Sequence, residues 1–121
     1  MVAVKRMPGT LMIRMCQVVG YDDIQTIRTD AGRYLMEEGV QSLVVDIRGC
    51  KPIDNSSCDL LKGLLVEARE HGVRRFVRVG DGTLLALQVN ALEQMAQVSD
   101  RTMIVANEAG LRRWGLESHW P

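Results

Sequence analysis

The sequence has few aromatic residues and no net charge. Tryptophan, tyrosine and phenylalanine make up 4% of the 121 residues, and 15 basic residues balance 15 acidic ones. The scarcity of aromatics disfavours the stacking platforms that bind single-stranded nucleic acid. Zero net charge leaves no overall field that would attract a phosphate backbone or anionic lipid. We therefore expect neither nucleic acid nor a membrane among the partners of this protein.

Cysteine and histidine are also sparse. The three cysteines, Cys16, Cys50 and Cys58, lack a Cys-x-x-Cys spacing, and His71 and His119 are the only histidines that could join them. This set predicts no metal site. No apolar run approaches the length of a membrane span, and the amino-terminal residues do not resemble a secretory signal. The sequence therefore predicts a cytoplasmic protein.

The chain has the size and composition of a single globular domain spanning residues 1–121. Short apolar runs alternate with longer stretches that carry apolar residues at helical spacing, which is typical of β–α–β units with parallel strands. The turn at Pro8-Gly9 favours an antiparallel edge strand within residues 1–8, and residues 117–121 are expected to form a loose tail. The main strands are predicted at residues 11–19, 43–47, 76–79 and 103–106, each followed by a helix.

Crossovers between parallel strands are right-handed, so all loops that lead from a strand into a helix should lie at one edge of the sheet. Functional residues are expected at that edge. It would gather Tyr21-Asp22, Asn107 and two polar segments, whose members are Asp54, Asn55, Ser56 and Ser57 in the first and Gly80, Asp81, Gly82 and Thr83 in the second.

The segment Leu43-Val44-Val45-Asp46-Ile47-Arg48-Gly49, followed by Ile53-Asp54-Asn55-Ser56-Ser57 and a helix through Gly63, resembles the core motif of the STAS family of anti-sigma-factor antagonists. The resemblance implies an α/β sandwich with a mixed, mostly parallel sheet of four or five strands and helices chiefly on one face. It also implies a protein partner such as a kinase-type anti-sigma factor, and no enzymatic activity or cofactor. By position, Asp54 matches the family aspartate and Ser56 the phosphoacceptor.

Ser57 stands where the family usually has glycine, and this difference leaves a first alternative open. The chain could be a phosphorylation-independent scaffold that forms homodimers or binds a small ligand. A second alternative is a small enzyme that uses Cys58, whose thiol could be activated at the start of a helix, or Asp46 at a strand end. For both residues a structural role is the simpler interpretation, with Cys58 packed and Asp46 as a hydrogen-bond acceptor.

Ser56 has two interpretations. The spacing Ser56-x-x-Asp59 fits a helix cap, a role that Asp54 or Asn55 could also fill. Alternatively, Ser56 is a regulatory phosphosite, because the start of a helix favours a phosphate group. The Gly80–Thr83 segment is interpreted as a tight turn with Thr83 as the cap of the next helix. Together, these two segments form the predicted partner-binding edge.

Overall fold

The structure is a computed structural model that describes residues 2–37 and 39–116, so the predicted tail at residues 117–121 lies outside the described residues. None of the helices in these two ranges is long and apolar enough to cross a membrane. The elements, in chain order, are β1 (Val2–Met7), β2 (Thr10–Met15), α1 (Tyr21–Leu35), β3 (Ser42–Asp46), α2 (Asn55–Glu70), β4 (Arg75–Val79), α3 (Leu84–Met95), a 3-10 turn (Ser99–Arg101), β5 (Thr102–Val105) and α4 (Glu108–Arg113).

The five strands form one sheet in which neighbours in sequence are neighbours in space, in the order β1-β2-β3-β4-β5. β1 pairs antiparallel with β2, and the other three pairings are parallel. Because each crossover moves to the adjacent strand with the same hand, α1, α2 and α3 lie on one face of the sheet. This confirms the predicted α/β fold, a mixed and mostly parallel sheet with helices chiefly on one face.

The side chains of the sheet separate into two apolar layers, as expected from the alternation of side chains along a strand. Leu11 and Ile13 pack with helices α1 to α3, while Met12 between them faces the other side. On that second face Met12 and Val77 are covered by Leu111 of α4. The sheet is therefore buried on both faces, which explains why its inner strands read as continuous apolar runs.

Strand β2 is shorter than predicted. It ends at Met15 rather than at residue 19, because Gln17 adopts a left-handed backbone conformation with φ 62°. Pairing resumes for a single bridge, in which the Gln17 amide donates to the Gly49 carbonyl at 2.9 Å and the Lys51 amide donates to Gln17 at 2.8 Å. After this bend the chain reaches Tyr21, the first residue of α1, at the edge of the sheet where the parallel strands have their carboxyl ends.

A charged pair is buried between β4 and α3. Nη1 of Arg78 donates to Oε1 of Glu93 at 2.7 Å, and the side chains are 3% and 7% exposed. Burial raises the pKa of Glu93 to about 7, and the nearby Arg78 charge only partly opposes this rise. No local sequence pattern indicates the pair, because Glu93 belongs to a helix whose neighbouring positions are mostly apolar.

Candidate functional site

Helix α2 is capped by Asp54. Oδ1 of Asp54 accepts a hydrogen bond from the backbone N–H of Ser57 at 2.7 Å, and the backbone of Asp54 is extended, as an N-cap requires. This hydrogen bond lowers the pKa of Asp54. The interpretation of Ser56 as the cap is therefore wrong. Ser56 is the second residue inside the helix. It therefore does not occupy the N-cap position, from which a side chain accepts hydrogen bonds from the free amides of the first turn.

The two serines after the cap lie in opposite environments. Ser56 is exposed, whereas Ser57 is 0% exposed. Since a fully buried side chain offers no surface to a partner, Ser57 does not contribute to a partner-binding edge, and that part of the prediction is corrected.

An open groove of about 610 Å³ lies between the first halves of α1 and α2, and it is lined by Tyr21, Arg28, Asp54, Ser56, Asp59 and Leu60. We call it the α1–α2 groove. Tyr21, Asp54 and Ser56 come from the predicted edge, while Arg28 comes from the middle of α1. The groove therefore places the candidate phosphoacceptor in one surface depression with two carboxylates and one guanidinium group.

Arg28 reaches this groove because α2 has a glycine at the facing position. A Cβ atom added to Gly63 would lie 2.8 Å from Cζ of Arg28, so the guanidinium occupies the space that a side chain would fill. Within residues 2–37 and 39–116, this guanidinium makes no hydrogen bond or ion pair. Sequence reasoning missed Arg28, since nothing local to residues 28 or 63 indicates that they meet.

The loop that carries Asp54 is fixed to α3 by Gln88. The Gln88 side chain accepts from the backbone N–H of Ile53 at 3.0 Å and donates to the Ile53 carbonyl at 2.8 Å. Both backbone polar groups of Ile53 are thus satisfied by one amide, which holds the residue before the cap in place. Ile53 and Gln88 are 35 residues apart in the sequence, so no local pattern predicts their contact.

The second predicted segment belongs to a different surface. Gly80 and Gly82 have φ values of 114° and 74°, which form the expected tight turn, and Oγ1 of Thr83 accepts from the Ala86 amide at 3.0 Å. The prediction of Thr83 as a cap is confirmed. Asp81, Gly82 and Thr83 line a separate groove of about 480 Å³ between α3 and β5. The predicted edge is therefore divided into two surfaces.

Asp46 is a structural acceptor. It is 2% exposed, and its carboxylate accepts from Nη2 of Arg48 at 2.7 Å and from Nε at 3.0 Å. Nη2 of Arg48 also donates to Glu108 at 2.9 Å, which ties the end of β3 to α4. A carboxylate engaged in this way is not available as a catalytic base.

Cys58 and Cys50 both have raised thiol pKa values. Burial raises the pKa of Cys58, and the carboxylates of Asp54 and Asp59 raise it further. The suggestion of a thiol with a lowered pKa at the helix terminus is therefore wrong, because burial and these negative charges raise the pKa instead. Burial likewise raises the pKa of Cys50. In the part of the chain that the structure describes, no three metal-binding side chains cluster together.

The fold, with its single antiparallel edge strand and three helices on one face, is shared with solved anti-sigma factor antagonists, which confirms the fold that the resemblance to the STAS family predicts. No family model matches the sequence, and no curated protein is similar to it at a significant level. Among solved structures, the phosphorylated form of the Bacillus cell fate determinant SpoIIAA superposes with a TM-score of 0.72 at 14% identity, over 94% of this chain and 99% of that one.

Two other solved structures have the same fold. The anti-sigma factor antagonist SpoIIAA in its unphosphorylated form gives a TM-score of 0.69 at 14% identity, covering 95% of this chain and 98% of that one. An anti-sigma factor antagonist from Mycobacterium paratuberculosis gives 0.59 at 10% identity, covering 88% and 86%. At these identities the similarity establishes the fold.

Proposed function

We propose that this protein is a regulatory protein-binding module of the cytoplasm. It would bind its partner, such as a kinase-type anti-sigma factor, through the α1–α2 groove, and phosphorylation of Ser56 would switch binding off. The observation that carries the proposal is the placement of Ser56. It is an exposed hydroxyl at the start of a helix, and it lines an open groove of about 610 Å³ in a fold shared with anti-sigma factor antagonists.

The surroundings of Ser56 suit a reversible charge switch. The partner kinase would transfer the terminal phosphoryl group of ATP to Oγ of Ser56, with the hydroxyl proton passing to a base of the kinase and ADP leaving. The phosphate adds a charge of about −1.5 to −2. In the groove it would join the carboxylates of Asp54 and Asp59. A partner that accepts the neutral hydroxyl would then meet strong local negative charge, and its binding should weaken.

The test compares Ser56→Asp and Ser56→Ala as bait in affinity purification from the native cell, with mass spectrometry of the captured proteins and of Ser56 itself. We expect Ser56→Ala to retain the partner and Ser56→Asp to lose it. Ser99→Asp is the matched control, because Ser99 is also exposed but lies in the 3-10 turn before β5, outside the groove. Equal capture by all variants, together with unphosphorylated Ser56 in cells, would refute the switch.

Self-association is the second candidate function. Strand β5 is an edge strand in which Ile104 is 49% exposed, and Leu84 and Leu87 of α3, which line the same groove as Ile104, are each 67% exposed. An unpaired strand edge with apolar neighbours is a template for pairing with another copy of the chain. Sedimentation velocity of wild type and Ile104→Lys tests this candidate. A dimer that dissociates in the variant would support it, and a wild-type monomer at high concentration would exclude it.

A further inference from the structure

The α1–α2 groove contains one cation whose role in the fold is not explained by any bond. Arg28 lies over Gly63 and, among the described residues, pairs with no carboxylate. The groove offers two candidates, Asp54 and Asp59, yet Asp54 accepts from the Ser57 amide instead. An arginine held in a groove without a partner retains its full capacity to bind an anion, because its five N–H donors are not committed.

Ser56 and Gly63 lie on the same side of α2. They are seven residues apart, which is about two helical turns. Since the Arg28 guanidinium lies over Gly63, Ser56 is about 10 Å from it along the helix axis. Side chains on a helix incline toward its amino terminus, which directs Arg28 toward the end of the groove where Ser56 lies. The same tilt directs a phosphate on Ser56 toward the amino-terminal end of the groove, so contact requires the long Arg28 side chain to extend along the groove.

We infer that Arg28 is the phosphate-binding residue of the α1–α2 groove, which swings from Gly63 to contact the phosphate group carried by Ser56. The contact is an arginine–phosphate pair, a geometry that this side chain favours. The inference rests on the proposed function, since it takes Ser56 to be the modified residue. The contact between Arg28 and the phosphate would change the shape of the α1–α2 groove as well as its charge. The guanidinium would move into the part of the groove that receives the partner.

The titratable groups that face the phosphate position are Tyr21, Asp54 and Asp59, in addition to Arg28. The two carboxylates disfavour the dianionic form of the phosphate, and Arg28 is the only side chain of the groove that favours it. The pKa for the second ionisation of the phosphate, ordinarily about 6, therefore reports contact with Arg28 directly.

The experiment uses full-length protein with phosphoserine incorporated at position 56 during synthesis, and it measures this pKa by ³¹P NMR titration. Arg28→Gln should raise the pKa by about 0.5 or more relative to the wild-type background, and Arg28→Lys should restore part of the difference. The matched control is Arg33→Gln. It removes the same charge from α1, but Arg33 is 73% exposed and pairs with Asp30, so screening should limit its effect to about 0.2 or less.

Equal shifts for Arg28→Gln and Arg33→Gln would overturn the inference. Since the Arg28 guanidinium makes no bond in the described fold, Arg28→Gln should keep the circular dichroism spectrum and Tm of the wild type, and the shift cannot then be attributed to unfolding. Capture of the partner is measured separately. If the phosphate pKa depends on Arg28 but the phosphorylated protein still binds its partner, the inference stands and the proposed function fails. If phosphorylation blocks the partner without that dependence, the inference fails alone.

Discussion

The buried contact between Arg78 and Glu93 should make the stability of the fold depend on pH. Burial raises the pKa of Glu93 from 4.5 to about 7, which corresponds to about 3 kcal/mol of preference for the protonated form in the folded state. Between these two values the folded protein holds a proton that the unfolded chain has released. The stabilisation is therefore complete below about pH 4.5 and is lost as the pH rises through about 7.

Glu93→Gln isolates this effect, because glutamine keeps the shape and the hydrogen-bond acceptor but does not titrate. Urea denaturation of both proteins gives the free energy of unfolding at several pH values, and the difference between the two curves removes the contribution of all other groups. We expect the free energy of wild type, relative to Glu93→Gln, to fall by about 2 to 3 kcal/mol between about pH 5 and pH 8.

Two results would refute this reasoning. A difference that increases with pH would mean that the attraction of Arg78 exceeds the cost of burial, so that the pKa of Glu93 lies below its ordinary value. A constant difference would mean that burial and attraction cancel. Arg78→Met provides an independent arm. Without the guanidinium, only burial acts on Glu93, and the loss of stability should extend to higher pH than in wild type.

Three further predictions concern packing and thiol chemistry. Leu64→Ala should lower the free energy of unfolding by about 2 to 5 kcal/mol because Leu64 is 1% exposed, whereas Lys62→Ala should lose about 0.5 kcal/mol or less. Equal losses in urea titrations would mean that α2 buries a different face. Gly110→Ala should lower the Tm, since its Cβ would lie 2.8 Å from Cβ of Val105, and an unchanged Tm would contradict that close approach. Cys58 should be alkylated more slowly in native protein than in urea, because its pKa is raised; faster native alkylation would contradict the buried environment.

Much of the fold follows from local sequence patterns. The helix after residue 54 carries its apolar residues at helical spacing, and Leu61, Leu64 and Leu65 are indeed buried. Thr83 was identified as a cap because the type of residue and its position before an apolar helix are sufficient evidence. The placement of three helices on one face also follows from the order of elements, because the handedness of crossovers leaves little choice.

The boundaries within the site depended on geometry that the sequence does not encode locally. Asp54, Asn55 and Ser56 are all acceptable caps by residue type, and the backbone conformation alone selects Asp54. The same loop position then makes Ser56 an exposed residue and Ser57 a buried one. A shift of one residue along a helix turns a side chain by about 100°, so neighbouring serines can face solvent and core.

The contacts that give the candidate site its chemistry join residues distant in sequence. Arg28 meets Gly63 across two helices, Gln88 binds the backbone of Ile53, and Arg78 is buried against Glu93. By itself the sequence determined the alternation of strands and helices, the face that each helix buries, and the edge of the sheet at which the strand-to-helix loops meet. These properties arise from periodicity and chain connectivity, which are local. Only the tertiary structure decided which charged side chains are buried, paired or left unpaired, because burial and the distance between charges depend on how the helices pack together.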